Sequence, residues 1–169
     1  MKSSFFVRTA SERDLAKVSA LLAETWHATY DTLYGAEKVS ELTAKWHSVA
    51  ALKARLERRD AEFVVADDGN ALAGMGYAAI AKDRPKTAML HQLYVLPQFQ
   101  GQGIGRDMFA ELETCFPDAS TMRLEVEPQN GNAIAFYAML GFQKVGETSN
   151  CGDGQSGIPA WIFEKQLAT

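Results

Sequence analysis

The stretch that decides the fold is QFQGQGIGRDMF, Gln98 to Phe109, which places three glycines within five residues. A run with strand composition precedes it (TAMLHQLYVLP, 87–97), and an amphipathic run follows it (RDMFAELETCF, 106–116). A strand that enters a helix through such a turn leaves backbone N–H groups unpaired at the helix start, where the helix dipole favours an anion. The stretch therefore predicts an anion-binding turn.

Phosphate is the anion that fits this turn best. We expect Gly101, Gly103 and Gly105 to adopt positive φ and to let phosphate oxygens reach the neighbouring amides without meeting a Cβ. A turn that only joins strand to helix is an equally good interpretation of the glycines alone. The Walker motif fails because Arg106 and Asp107 follow Gly105. The dinucleotide fingerprint fails because Arg106 occupies its last small-residue position and several strands come before the stretch.

Length and composition predict one compact domain that covers residues 1–169. No window approaches the ~18 consecutive apolar residues of a membrane span. The net charge is −4, and the basic cluster KARLERR (53–59) resembles a solvated helix face rather than a nucleic-acid site. The N-terminus has no extended apolar segment, and Cys115 and Cys151 lie far apart, so we expect a reducing, cytoplasmic location.

The periodicity of apolar residues predicts the order strand, helices, three strands, helix, strand, helix and two strands. Ser11 with Asp14 marks the first helix start, and DDGN (67–70) is a hairpin signal. The predicted strands are FFVRTAS (5–11), EFVVADD (62–68), ALAGMGYAAIA (71–81), TAMLHQLYVLP (87–97), TMRLEVE (121–127), FQKVGETS (142–149) and AWIFEKQL (160–167). This order indicates an α/β fold of the α+β type, with three layers around a mixed sheet.

The chain resembles the GNAT superfamily of N-acetyltransferases. Gln100-x-x-Gly103-x-Gly105 is similar to that family's pyrophosphate loop, and a second signature follows about 25 residues later. Its matching residues are Asn130, Ala133, Phe136, Tyr137, Gly141 and Phe142. The resemblance implies acetyl-CoA as cosubstrate, a primary amine of a small molecule or peptide as acceptor, and a mostly antiparallel, twisted sheet of about seven strands with splayed central strands.

The resemblance also implies a set of cofactor-binding residues. These are Leu93, Tyr94, Val95, Gln100, Gly101, Gln102, Gly103, Ile104, Gly105, Arg106, Asn130, Ala133, Phe136 and Tyr137. Leu93 and Val95 would act through their main chain, as an added strand does, with the Val95 amide as oxyanion donor. Asn130 would contact the cofactor arm, although PQNGN is also an ordinary turn sequence. Arg106 would meet a phosphate or lie in solvent.

Acetyl transfer from a thioester to an amine needs a proton acceptor for the amine and a donor for the thiolate. Tyr137 is the predicted acid by resemblance, and a core aromatic is the alternative. Glu125, 12 residues earlier, is the leading base because this spacing resembles the ribosomal-protein N-terminal acetyltransferase branch. A solvent-facing or ion-paired glutamate is its alternative. The base of the histone-acetyltransferase branch is absent, because Met89 stands at its position. His91 lies two residues from Met89, on the same strand face, and is a second candidate that would act directly or through water.

The acceptor side is predicted from two segments, ETWHATYDTLYG (24–35) and SNCGDGQSGIP (149–159). Their side chains Trp26, Tyr30, Asp31 and Tyr34 would form an aromatic, acidic pocket for an ammonium group or belong to the core. We expect His27 and His47 on the surface, and no metal site, because no cluster has ligand spacing.

Two other functions compete with acetyl transfer. A noncatalytic acyl-CoA-binding or sensing module would use the same loop and would not need Tyr137 or a base. A dinucleotide-dependent oxidoreductase is disfavoured by the failed fingerprint. The predicted partner is an amine substrate, with no nucleic acid and no membrane. The resemblance also implies a possible homodimer, in which the apolar closing strand AWIFEKQL would participate, and simple burial of that strand is the alternative.

Overall fold

The structure, a computed structural model, describes residues 4–150 and 157–167. The strands are β1 (Phe6–Thr9), β2 (Ala61–Asp67), β3 (Leu72–Ile80), β4 (Thr87–Val95), β5 (Thr121–Val126), β6 (Gln143–Thr148) and β7 (Ala160–Gln166). The helices are α1 (Leu15–Tyr34), α2 (Ala36–Trp46), α3 (Val49–Glu57), α4 (Ile104–Glu113) and α5 (Gly131–Met139). Short 3-10 turns, Glu12–Asp14 and Pro97–Phe99, come before α1 and α4. This order confirms the predicted one.

The seven strands form a mixed sheet in the order β1-β2-β3-β4-β5-β7-β6. The pairs β1–β2, β5–β7 and β6–β7 are antiparallel, and β4–β5 is parallel. The parallel pairing joins Thr87–Met89 to Thr121–Arg123, while β4 continues to Val95 and β5 to Val126. A parallel ladder that ends early agrees with the predicted splay of the central strands. The predicted fold class is confirmed.

Contacts along the chain define two compact units, which are described separately below. The first comprises Met1–Tyr77 with Gln92–Leu112, and the second comprises Ala78–His91 with Glu113–Thr169. Strands β3 and β4 each contribute residues to both units. One domain over residues 1–169 stays a prediction.

The predicted start of the first helix is confirmed by an ionic capping network. The Ser11 amide donates to Asp14 Oδ2 over 2.8 Å, and Arg8 contacts both Asp14 and Asp67 over 2.8 Å. The hydrogen bond from Arg8, opposed by burial, lowers the pKa of Asp14 to about 2. Arg8 therefore ties β1 to the first helical turn and to the end of β2.

Two glycines on β3 allow α4 to lie close to the sheet. A Cβ on Gly74 would stand 2.5 Å from the Tyr94 carbonyl oxygen and 2.9 Å from Met108 Cε. A Cβ on Gly76 would stand 2.9 Å from Leu112 Cδ1. Met108 and Leu112 are fully buried on α4. The missing Cβ atoms thus make room for the apolar face of α4 and for the backbone of β4.

The helices α1 and α2 enclose an aromatic cluster around Trp26, Tyr30 and Val39, which are all buried. Tyr34 and Tyr94 pack against it from α1 and β4. Of the two interpretations of these aromatic residues, the core one is therefore correct for Trp26 and Tyr30. An apolar stripe at helical spacing looks the same in sequence whether it lines a pocket or a core.

The prediction that His47 lies on the surface is wrong, because its side chain is 2% exposed. His47 ends α2, and its Nδ1 lies 3.3 Å from Arg55 Nη1 on α3. Arg55 also donates to the Trp46 carbonyl, so it caps the C-terminus of α2. The basic cluster at 53–59 is thus not simply a solvated face. Its central arginine is turned inward and joins two helices.

In the second unit, β5 and β7 pair along their full length and β6 forms the outer strand. Met122, Leu124 and Val126 alternate as the buried face of β5. The β6–β7 register shifts between Lys144 and Gly146, which leaves Val145 as an exposed bulge residue. Lys144 Nζ lies 3.9 Å from the centre of the Trp161 ring and 2.8 Å from Glu147 Oε1. The outer strand is therefore kinked and charged.

Candidate active site

The glycine turn of the first unit has the predicted backbone geometry at two of its three glycines. Gly101 and Gly103 have φ of +80° and +82°, and no atom lies within 4 Å of a Cβ built on either. Gly105 lies in the first turn of α4, so the prediction of positive φ at this position is wrong. Because Gly105 is helical, its φ is the negative φ of an α-helix, and the turn does not need a positive φ at this position. The space beside Gly101 and Gly103 is open and would be filled by side chains.

The start of α4 directs backbone amides toward this open turn. The first intrahelical hydrogen bond runs from the Asp107 amide to the Gly103 carbonyl over 3.0 Å, so the amides of Ile104 and Gly105 precede it. The Ile104 side chain is buried, and Arg106 is exposed. Ile104 is thus available only through its backbone. Free amides, a positive dipole end and an absence of Cβ atoms fit a phosphate group.

Near the end of β4, the main-chain groups of alternate residues point toward β3 or away from it. The Leu96 amide donates to the Ala73 carbonyl of β3 over 2.8 Å. Successive residues in a strand direct their N–H and C=O groups to opposite edges, so those of Leu93 and Val95 point away from β3. The Gln100 side chain is anchored there, since its Nε2 donates to the Val95 carbonyl over 3.0 Å. Gln100 therefore fixes the glycine turn against the end of β4.

The Tyr94 side chain takes no part at that edge. It packs on the aromatic cluster of α1 and α2, and the Tyr94 carbonyl oxygen faces Gly74 of β3, so a contact between Tyr94 and the cofactor stays a prediction. Gln102 is exposed in the turn. The first unit thus brings together all the residues predicted between Leu93 and Arg106, mostly through main-chain groups.

In the second unit, α5 begins at a turn that uses Asn130 as its cap. Asn130 Oδ1 accepts from the Ala133 amide over 3.2 Å, and the Asn130 amide donates to the Glu127 carbonyl over 2.9 Å. Glu127 Oε1 accepts from the Gln129 amide over 3.0 Å. The structural role considered for Asn130 is therefore present. Its contact with the cofactor arm stays a prediction.

Tyr137 lies half-buried on α5 between two other aromatic rings. Its ring centre is 5.4 Å from that of Phe136 and 5.8 Å from that of Phe142, both in edge contacts. The Phe142 amide also donates to the Tyr137 carbonyl over 3.0 Å. These contacts fix the ring through its apolar faces, and the role of its hydroxyl as an acid stays a prediction.

The candidate bases lie on β4 and β5. Glu125 is half-buried and opposite Ile162 of β7, on the strand face that also carries Arg123. Arg123 Nη1 is held 2.8 Å from Glu164 Oε2 on β7. His91 is exposed on β4. The roles of Glu125 and His91 as base stay predictions.

Glu127 was missed by the sequence reasoning. It is 5% exposed, two residues beyond Glu125, and its carboxylate organises the turn before α5. The signal for it was present, because a glutamate directly before Pro128 at a strand end is well placed to accept from turn amides. It serves below as a comparison for Glu125.

The acceptor segments are only partly described. Asp31 Oδ1 lies 2.7 Å from His27 Nδ1, and its place in an acceptor pocket stays a prediction. In the loop 149–159, residues 151–156, Cys151 among them, lie outside the described residues. Within residues 4–150 and 157–167, no three His, Cys, Asp or Glu side chains are grouped to hold a metal ion. Helices in the same part of the chain are too short or too polar to cross a membrane.

Comparisons with known proteins agree with this arrangement. N-alpha-acetyltransferase RimI of Mycobacterium tuberculosis is 35% identical over 98 residues, which span 57% of this chain and 61% of RimI. The crystal structure of PaiA N-acetyltransferase from Thermoplasma acidophilum in complex with coenzyme A superposes with a TM-score of 0.84. It is 25% identical and covers 98% of this chain and 100% of that one.

A more distant structure has the same fold. The ribosomal-protein-S18-alanine N-acetyltransferase from Escherichia coli has a TM-score of 0.69 at 19% identity, covering 98% of this chain and 95% of that one. The family model described as an acetyltransferase (GNAT) domain matches residues 30–159. That range is most of the chain and includes the glycine turn, β5 and α5. This protein belongs to the GNAT family of acetyltransferases.

Proposed function

We propose that this protein transfers the acetyl group of acetyl-CoA directly to a primary amine of a small molecule or a peptide. The observation that supports this most is the open glycine turn at the start of α4, with positive φ at Gly101 and Gly103. The residues fit acetyl-CoA, which would supply the acetyl group as a thioester. Amides from Gly101 to Arg106 would hold the pyrophosphate, and Leu93 and Val95 would bind the arm through their main chain.

Replacing Gly101 by alanine tests this binding role. We expect Gly101→Ala to raise the Kd for coenzyme A at least about tenfold, because the new Cβ would occupy the phosphate space. Gly69→Ala is the matched control, since Gly69 also has positive φ (+98°) and open space around its Cβ position, but lies in the hairpin between β2 and β3. Both variants should lose similar stability, about 1 kcal/mol.

The readout is the rise in melting temperature with increasing coenzyme A, compared with NAD(H) as a ligand that the turn should not bind. Equal loss of coenzyme A binding in both variants, or none in Gly101→Ala, would reject the phosphate role of the turn. Stabilisation by NAD(H) would instead favour the oxidoreductase alternative.

Two side chains of the second unit are proposed to move protons. Tyr137 would donate its hydroxyl proton to the departing thiolate, and Glu125 would accept a proton from the amine, which is otherwise protonated at neutral pH. His91 is the alternative acceptor. The amide of Val95, in the first unit, would donate to the acetyl oxygen.

The acceptor proposed first is the α-amine of a peptide. The similarity to a protein described as an N-alpha-acetyltransferase supports this choice over an amine of a small molecule. We also propose a cytoplasmic location, a homodimer and no membrane partner. The acidic pI of 5.4 and the absence of a basic stripe in the sequence support the proposal that no nucleic acid is bound.

The proposed activity is tested by coenzyme A thiol release with a panel of amines and with the variant Tyr137→Phe. We expect Tyr137→Phe to lower kcat about a hundredfold, the low end of general-acid catalysis, since a thiolate with a pKa near ~8.5 is already a fair leaving group. The phenylalanine ring keeps the contacts with Phe136 and Phe142, so coenzyme A should raise the melting temperature as in the native protein.

Glu125→Gln should likewise lower kcat. Glu127→Gln is the matched comparison variant, because the Glu127 carboxylate accepts a hydrogen bond from the Gln129 amide. Unchanged turnover in Tyr137→Phe would remove that residue from the mechanism. Coenzyme A binding without thiol release for any amine in the panel would favour the noncatalytic sensing module.

A further inference from the structure

A serine, a histidine and an aspartate on α1 and α2 are hydrogen-bonded in series. His27 Nδ1 lies 2.7 Å from Asp31 Oδ1, one helical turn further along α1. His27 Nε2 lies 3.3 Å from Ser40 Oγ on α2. All three residues belong to the first unit, and Ser40 is exposed while His27 and Asp31 are half-buried. The hydroxyl is therefore accessible to a ligand, and the imidazole is held by its partner.

The partners determine which nitrogen of His27 carries the proton. An ionised aspartate only accepts hydrogen bonds, so Nδ1–H must be the donor to Asp31. Nε2 of the neutral ring is then an acceptor, and the Ser40 hydroxyl is the donor to it. A nucleophile bonded to a base, and a base bonded to an orienting carboxylate, are the connections that activate a serine.

The backbone of α2 adds a favourable potential at Ser40. The first intrahelical bond of α2 runs from the Val39 amide to the Gly35 carbonyl over 3.1 Å, so the amides of residues 36–38 precede it. A helical side chain leans toward the N-terminus of its helix, so the Ser40 side chain is directed back toward the first turn of α2. These amides favour negative charge on the serine oxygen, and Glu37 in the same turn opposes it.

We propose that Ser40 is a nucleophile for small activated acyl esters, with His27 as general base and Asp31 as the positioning residue. Ser40 Oγ forms a bond to the acyl carbon while its proton passes to His27 Nε2. The bond from the acyl carbon to the leaving oxygen breaks, and that oxygen takes the proton from His27. Water then attacks the acyl-serine with the same base, which returns Ser40 and releases the carboxylic acid.

This activity does not depend on the proposed acetyl transfer, and two probes test it in the intact protein. Diisopropyl fluorophosphate should label Ser40, located by peptide mass spectrometry. The protein should hydrolyse p-nitrophenyl acetate, and Ser40→Ala should lower the rate of hydrolysis at least about tenfold. This effect is smaller than the usual effect at buried sites, because water screens the exposed serine. His27→Gln should have the same effect, and Asp31→Asn a smaller one, with labelling reduced in parallel.

Thr32→Ala is the control, because Thr32 is also an exposed hydroxyl on α1. It should keep full esterase activity, and Ser40→Ala should keep full acetyl transfer to amines and the native melting temperature. Ser40 unlabelled by the fluorophosphate in the folded protein would overturn the proposal. So would hydrolysis that His27→Gln removes and Ser40→Ala does not, since that result assigns the reaction to the imidazole alone.

Discussion

Acidification from pH 7 to pH 5 is expected to cost this protein about 2 kcal/mol of its free energy of unfolding through His47 alone. Burial, and the adjacent Arg55 cation, lower the pKa of His47 from 6.5 to about 3. The unfolded chain therefore binds a proton near pH 6.5 that the folded protein accepts only near pH 3. Stability is fully present above the unfolded pKa, and falls with pH until about 5 kcal/mol is lost below pH 3.

The surroundings of His47 explain why the burial of its charged form is only partly offset, since the Trp46 backbone raises its pKa less than burial lowers it. Its Nδ1 faces the guanidinium of Arg55, and among the described residues its Nε2 has no hydrogen-bond partner. A protonated ring would therefore place a second cation beside Arg55.

Urea unfolding of the native protein and of His47→Gln at pH 7 and at pH 5 measures this effect. Glutamine keeps an acceptor for Arg55 and does not titrate, so the variant should lose about 2 kcal/mol less than the native protein between these two pH values. Asp14 titrates too far below pH 5 to contribute. The same pH slope in both proteins, or an imidazole NMR resonance that titrates near pH 6.5 in the folded state, would contradict the prediction.

Gly74→Ala is expected to destabilise the protein by about 3 kcal/mol or more, the upper end of overpacking effects. The new Cβ would stand 2.5 Å from the Tyr94 carbonyl oxygen, which belongs to a paired backbone and cannot rotate away. Relief requires the end of β4 to move off β3. Because Val95 follows directly, any variant that still folds should also bind coenzyme A more weakly.

Gly76→Ala, two residues along the same strand face, is the matched comparison. Its Cβ would meet the ends of flexible side chains, Leu112 at 2.9 Å and Leu93 and Val64 at 3.3 Å. Small rotations relieve these contacts, so we expect a loss within about 1 kcal/mol. Urea unfolding of the two variants checks the difference. Equal stability of the two variants would show that the backbone of β4 moves as easily as a leucine side chain, and would contradict the prediction.

The element order could be predicted because the chain carries strong local signals. The capping pair Ser11 and Asp14, the hairpin turn around Gly69 and the glycine turn after β4 each fix a boundary through backbone chemistry that depends on neighbouring residues. Helical and alternating periods supply the rest. The glycine turn itself was predicted in place, apart from the helical conformation of Gly105.

Apart from Gly105, the assignments that were wrong or left open concern long-range burial. His47 and Arg55 are polar residues near helix ends, and nothing in their immediate neighbours indicates that α2 and α3 turn them toward each other. Trp26 and Tyr30 were left between pocket and core, and their packing with residues of α2 and with Tyr94 of a distant strand assigns them to the core. The catalytic assignments of Tyr137 and Glu125 came from resemblance, because an aromatic residue on a helix and a glutamate on a strand carry no local mark of catalysis.

The bulge at Val145 bears on how copies of this chain can associate. A second chain that added to the sheet at β6, one of its two edge strands, would have to align its backbone with β6 over several residues. The register shift between Lys144 and Gly146 breaks that alignment, and the charges of Lys144 and Glu147 would be desolvated in the process. Growth of the sheet at the β6 edge is thereby discouraged, which limits fibres and dimers built on that edge. Two copies of this protein would therefore not associate by pairing their β6 strands.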